Sequence, residues 1–161
     1  MDVDKTLTAS FTATDEDGTF RLGHVLAETL PDGLVCSLVG TLGAGKTRLV
    51  QAIAVASGVE RESVSSPTFV LLHEYTDGNR NIYHFDAYRL KNATEFQQLG
   101  AEEYFDAGGL TFIEWADRVT EAIPAENLEI KITPVGETTR RFDFVASNGN
   151  LKNVIDAVRK I

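Results

Sequence analysis

Residues 40–47 read GTLGAGKT, a spacing of GxxxxGK followed by Thr, and every residue type in it suits the capture of a phosphate chain. Gly40, Gly43 and Gly45 let the backbone take conformations a Cβ would forbid, so that successive amide hydrogens can turn inward on an anion. Lys46 supplies a full positive charge for the terminal phosphates, and the Thr47 hydroxyl is suited to a magnesium ion bridging them. A helix starting near Lys46 would aim a partial charge of about +0.5 at the same point. The ligand implied is a nucleoside triphosphate with Mg2+, held along Thr41, Leu42, Gly43, Ala44, Gly45, Lys46, Thr47 and Arg48. A glycine-rich turn without chemistry is the bland alternative. Context disfavours it, because an apolar run precedes the loop and a helical pattern follows.

A phosphate site of this kind needs an acid from a neighbouring strand end to complete the metal site, and two candidates are present. Asp86 follows NIYHF and Glu114 follows LTFI, each near the end of an apolar run and able to project at a sheet rim beside the loop. With Lys46 they form the candidate catalytic set, and with Thr47 the candidate metal set. One acid would serve the metal or its waters and the other an attacking water, and the sequence leaves that division open. His84 lies two residues before Asp86, on the same side of a strand, where it could orient that carboxylate or simply be a structural histidine. Trp115 would face away from Glu114 if the strand continued through both. Tyr88 and Arg89 are expected to pack and pair locally after the hairpin, with Arg89 also a candidate phosphate or partner contact. Adjacent Arg140 and Arg141 point to opposite strand faces and read as solvated.

The elements that must position these residues follow from periodicity. TLTASFTA at 6–13 predicts a first strand. From Asp15, DEDGTFRLGHVLAETL predicts a helix with Leu22, Val25, Leu26 and Leu30 near one face, acidic residues at its start, and Pro31 and Gly33 to stop it. LVCSLV at 34–39 predicts a strand covered on both faces, with Cys36 as a core thiol. KTRLVQAIAVAS places Leu49, Val50, Ile53 and Ala54 at helical spacing and ends near Gly58. FVLLHEYT at 69–76 and NIYHFDAY at 81–88 predict an antiparallel hairpin, and residues 95–105 one broken helix or two short ones around Gly100. LTFIEW at 110–115 predicts another apolar strand. LEIKITPV and TTRRFDFVAS predict a second hairpin around Gly136 with one wet face. Leu151, Val154, Ile155 and Val158 predict a C-terminal helix.

A chain of 161 residues suits one domain spanning residues 1–161. The 43% hydrophobic content can fill its interior, which excludes disorder as the main state. The charge, 15 Lys and Arg against 24 Asp and Glu, is −9 and repels a polyphosphate backbone. Tight direct binding to tRNA is therefore not expected, although a role through a partner protein is open. One cysteine, Cys36, excludes an intramolecular disulfide and a thiolate zinc cluster, and reducing conditions, hence the cytoplasm, are the simpler expectation. The start, MDVDKTLTAS, lacks the pattern of an export signal, and no apolar run approaches the roughly 18 residues of a membrane span, so no membrane association is expected.

Four blocks in order, GTLGAGKT at 40–47, SSPTF at 65–69, HFDAYRL at 84–90 and IEWAD at 113–117, resemble the TsaE (YjeE) family. Its members are bacterial P-loop ATPases needed for making threonylcarbamoyladenosine in tRNA. The loop is shared by many families, but SPTF followed by HxDxYRL and EW is specific. Three positions depart from the common pattern. Thr41 stands where an acidic residue is usual, Arg48 where a second Thr is usual, and Ala87 where Leu is common. The resemblance implies an α/β P-loop NTPase core with a mixed parallel and antiparallel sheet flanked by helices. It also implies ATP and Mg2+ as ligands, and work with the partners TsaD and TsaB, with TsaD holding the transfer chemistry. It places Asp86 and Glu114 at the nucleotide-metal site with Trp115 close by. Ser66 to Phe69 become a switch-like segment sensing the γ-phosphate through Thr68, which on sequence alone could merely begin a strand.

Other classes share the loop. A small-molecule kinase would commonly carry an arginine-bearing lid, and no arginine-rich segment follows the loop. A GTPase reading rests on DAGG at 106–109, which matches DxxG, but no convincing strand leads it and no NKxD motif follows. A nucleotide-dependent binding module that does not hydrolyse differs only in whether the phosphate bond is cut.

Overall fold

In the computed structural model of the chain, the described residues are 6–41, 43–64 and 71–161. Strand β1 (Leu7–Ala13) buries alternate residues and leads into helix α1 (Glu16–Thr29). Asp15 caps that helix, its side chain accepting a hydrogen bond from the Gly18 amide (2.8 Å), and Glu16 and Asp17 complement the dipole in the first turn. Leu22, Leu26 and Leu30 are buried on one face, and the chain turns extended at Leu30, ahead of Pro31. Strand β2 (Val35–Val39) is buried nearly throughout and feeds the glycine loop, from which helix α2 (Lys46–Ala56) departs. Helices α1 and α2 pack closely at Gly23, where a Cβ would come within 2.5 Å of the Ala52 Cβ.

Strands β3 (Leu72–Tyr75) and β4 (Ile82–Asp86) form the first hairpin, in the register Leu72↔Phe85 to Tyr75↔Ile82. The part of its first arm expected at Phe69 and Val70 lies outside the described residues. Its second arm stops at Asp86 rather than running on to Tyr88, because the Tyr88 amide donates back to Asp86 Oδ1 (2.8 Å) and closes a turn. Two short helices, α3 (Ala93–Gln98) and α4 (Ala101–Phe105), meet at Gly100, which takes the left-handed conformation between them (φ 81°). Strand β5 (Leu110–Glu114) follows, then the hairpin of β6 (Leu128–Pro134) and β7 (Arg140–Ala146), and helix α5 (Lys152–Arg159) closes the order.

These strands make one seven-stranded sheet in the order β1-β7-β6-β2-β5-β4-β3. The middle four, β6, β2, β5 and β4, are parallel to one another, and antiparallel partners complete both sides. One face carries α1, α2 and α5 over Leu38, Phe112, Ile130, Phe142 and Phe144. The other carries α3 and α4, with Phe96 stacked edge-on against Phe85 at 5.1 Å. Cys36 is fully buried in the first layer, and burial pushes its thiol up to about 12, as a core residue requires. Among the described residues no helix is long and apolar enough to cross a membrane. Because β2 lies between two parallel neighbours, its carboxyl end opens on the crevice where ligands bind in sheets of this kind.

Candidate functional site

The loop after β2 closes on itself by backbone geometry. Gly43 (φ 78°) and Gly45 (φ 116°) both occupy the left-handed region, and the Ala44 amide donates to the Thr41 carbonyl (3.0 Å). At Gly40 a Cβ would meet the Ile132 carbonyl oxygen at 2.7 Å, so β6 can lie against the loop only because that residue is glycine. Gly45 offers α2 no side-chain cap, and the amides of the first helical turn have no partner within the helix. Lys46 is only 4% exposed. Its Nζ donates to the carbonyls of Gly40 (2.8 Å) and Thr41 (2.9 Å) and stands 4.2 Å from the centre of the Trp115 ring. Burial lowers its pKa, opposed by attraction to Glu114, Asp86 and Asp117. Leu42 lies outside the described residues.

The two acids meet across the sheet. Parallel pairing of β4 with β5 sets Asp86 opposite Glu114, both buried at the carboxyl rim beside the loop. Glu114 Oε2 accepts a hydrogen bond from the Thr47 hydroxyl (2.8 Å) and lies 2.5 Å from His84 Nε2. Burial raises the Glu114 pKa, but bonding to His84 and Thr47 and the charges of His84 and Lys46 outweigh that and hold the carboxyl below its ordinary range. The histidine therefore serves Glu114 and not Asp86, a correction to the expectation from strand spacing. A strand two residues apart shares a face, but the nearer acceptor is on the neighbouring strand. Trp115 is the only residue other than glycine with positive φ (58°) among the described residues. That turn ends β5 at Glu114 and brings the indole over Lys46 and against Tyr88, at 4.9 Å between rings.

In front of the loop is a cleft of about 480 Å³ whose near wall includes Gly43, Gly45, Lys46, Thr47, Asp86, Glu114 and Trp115. Its far wall, Asp15, Glu16, Thr19, Thr138, Arg140 and Phe142, was not anticipated. Those residues come from the start of α1 and from the β6–β7 hairpin, and no local motif marks them, since only the sheet order brings the two connections together. Arg48 pairs with Glu16 across this opening. Arg140 is not simply solvated. Its Nη1 donates to the carbonyls of Gly136 (3.1 Å), Glu137 (3.4 Å) and Thr139 (3.1 Å), which folds the hairpin tip. Arg141 does face solvent, bonded to Asp143 (3.1 Å). Asp106–Gly109 lies at the start of β5, at the strand end opposite Glu114, so the DxxG match belongs to a turn remote from the loop. The segment containing Ser66 and Thr68 lies outside the described residues.

The donor set fits a magnesium ion. A hydroxyl and a carboxylate already in contact, with a second carboxylate beside them, are hard oxygen ligands. Among the described residues no three His, Cys, Asp or Glu side chains gather into a cage of their own. Magnesium ordinarily needs none, because one or two carboxylates, waters and substrate phosphates hold it.

Comparison with known proteins places this geometry in a family. Residues 13–142 match the model of the threonylcarbamoyl adenosine biosynthesis protein TsaE. The tRNA threonylcarbamoyladenosine biosynthesis protein TsaE of Bacillus subtilis (strain 168) is 41% identical over 128 residues, 80% of this chain and 79% of the relative. That of Nostoc sp. (strain PCC 7120) is 36% identical over 145 residues, 88% of each chain. The crystal structure of Bacillus subtilis YdiB superposes with a TM-score of 0.80 at 28% identity, covering 97% of both chains, and the two share the P-loop fold. With its mixed sheet, glycine loop and paired strand-end acids, the chain belongs to the TsaE family of tRNA threonylcarbamoyladenosine biosynthesis proteins.

Proposed function

We propose that this protein binds ATP with Mg2+ in the glycine loop and hydrolyses it, working in the cytoplasm with TsaD and TsaB to support threonylcarbamoylation of adenosine in tRNA. The observation that carries the reading is the contact of Thr47 with Glu114 directly beside the buried Lys46. A charge, a hydroxyl and a carboxylate converge there at the mouth of a loop of turned glycines.

Each residue has a task in this reading. The first amides of α2 and the loop backbone receive the phosphate oxygens, and the Lys46 ammonium neutralises charge on the β- and γ-phosphates. Thr47 and Glu114 would hold the metal, which when bound supplies Lewis-acid polarisation of the phosphate oxygens. Asp86, one strand over and tied to the Tyr88 amide, would order water on the same rim. The Trp115 ring covers Lys46 and keeps solvent from it. Nucleoside atoms extend toward the far wall of the cleft, between the start of α1 and the β6–β7 hairpin. The net charge of −9 favours action through proteins over direct contact with tRNA.

The test is phosphate release from ATP by the isolated protein and by its mixture with TsaD and TsaB, each with and without Mg2+. The expected result is magnesium-dependent turnover that rises when both partners are present. Magnesium-dependent binding without turnover in any mixture would leave a binding module in place of an ATPase.

A further inference from the structure

We infer that His84 is a positioning residue for the metal site, holding one oxygen of Glu114 so that the other is presented to the ion. The inference rests on the ATP reading above and adds to it a residue outside the glycine loop and the acid pair.

His84 is fully buried on β4, on the sheet face where Ile82 precedes it and Asp86 follows it toward the rim. Its Nε2 makes the 2.5 Å contact with Glu114 Oε2, whereas Nδ1 is buried with no hydrogen-bond partner among the described residues. A histidine kept only for the core would be served better by an apolar side chain like its neighbours, since an unpaired ring nitrogen in the interior is unfavourable. Among the described residues its single bond goes to a candidate metal ligand. Glu114 Oε2 also takes the Thr47 hydroxyl as a donor and so acts as an acceptor, which makes His84 Nε2 the donor across the 2.5 Å contact. Two donors, Thr47 Oγ1 and His84 Nε2, converge on Oε2, and Oε1 has no hydrogen bond among the described residues. In the ATP reading the Thr47 hydroxyl is wanted by the ion. His84 is then the donor that keeps the glutamate side chain from rotating, the role that partners behind a metal-bound carboxylate play.

The test compares His84→Leu, which deletes the donor, with His84→Gln, whose amide can replace Nε2–H. Mn2+ binding in the presence of ADP is followed by the loss of the free-ion EPR signal, and ADP affinity without metal by calorimetry. For His84→Leu, Mn2+ binding should weaken roughly 10- to 100-fold while metal-free ADP affinity stays within about twofold, and His84→Gln should recover most of the loss. Wild-type Mn2+ affinity in His84→Leu, or equal loss in a folded His84→Gln, would overturn the role of His84 and leave the ATP reading intact. Failure of the unsubstituted protein to take up Mn2+ with ADP would overturn both. Should the leucine variant not fold, 15N NMR of the unsubstituted protein decides. The proton on His84 Nε2 should persist and the Nε2 signal move on addition of Mg2+ with ADP, and an unmoved signal would overturn the inference.

Discussion

Lys46→Ala is expected to abolish tight binding of magnesium-ATP and leave the fold standing. The amine lies buried between the Gly40 and Thr41 carbonyls; burial lowers its pKa, and three carboxylates near it oppose that lowering. A triphosphate arriving in the loop meets that charge with little water to screen it. Truncating one member of a desolvated charge pair costs about 3 kcal/mol or more, roughly a hundredfold or greater in affinity. The fold should survive because the lysine lies at the carboxyl rim of the sheet, outside both apolar cores. Lys46→Arg should not restore binding, since a planar guanidinium cannot occupy the place of a compact ammonium between two carbonyls. Calorimetric titration with circular dichroism as the folding control measures the effect. Undiminished affinity in the alanine variant would remove Lys46 from the site.

Loss of either rim acid is expected to impair hydrolysis more than binding. For Glu114→Gln the fall in turnover should be roughly a hundredfold, about 2.7 kcal/mol of barrier, because an amide cannot supply the negative charge a magnesium ion needs. The alanine variant is harder to interpret, since it also strips His84 of its one hydrogen bond among the described residues, a stability loss of about 1–3 kcal/mol. Asp86→Ala should reduce turnover as well, and it opens the turn that the Tyr88 amide closes. Held below the ordinary range, the Glu114 carboxylate stays ionised through neutral pH. Its contribution to stability is complete above the unfolded value of about 4.3 and is lost only as pH falls through the lower folded value. Turnover equal to wild type in both Glu114→Gln and Asp86→Ala would refute the assignment of these acids.

What could be read from the chain without its structure was whatever local chemistry spells out. The apolar run before the loop, the three glycines and the helical spacing after Lys46 each carry their own signal, and the strand, loop and helix stand where they point. The strand-end positions of Asp86 and Glu114 were legible for the same reason. Their adjacency was not, because the pairing of β4 with β5 joins segments separated by α3 and α4. The partner of His84 was missed on the same ground. Spacing along one strand pointed to Asp86, and the actual contact crosses to the next strand. Trp115 gave no hint of its turn, since positive φ is announced by glycine or asparagine and seldom by an aromatic residue. The far wall of the cleft, from Asp15 to Arg140, exists only once seven strands have taken their order.

The most direct test of the central claim is a crystal structure with Mg2+ and a non-hydrolysable ATP analogue. The β- and γ-phosphates should lie against the backbone amides of Gly43 to Thr47 and within reach of Lys46 Nζ, with the ion on the Thr47 and Glu114 side and the nucleoside toward the start of α1. A loop left empty at saturating analogue, or an analogue seated elsewhere on the molecule, would contradict it.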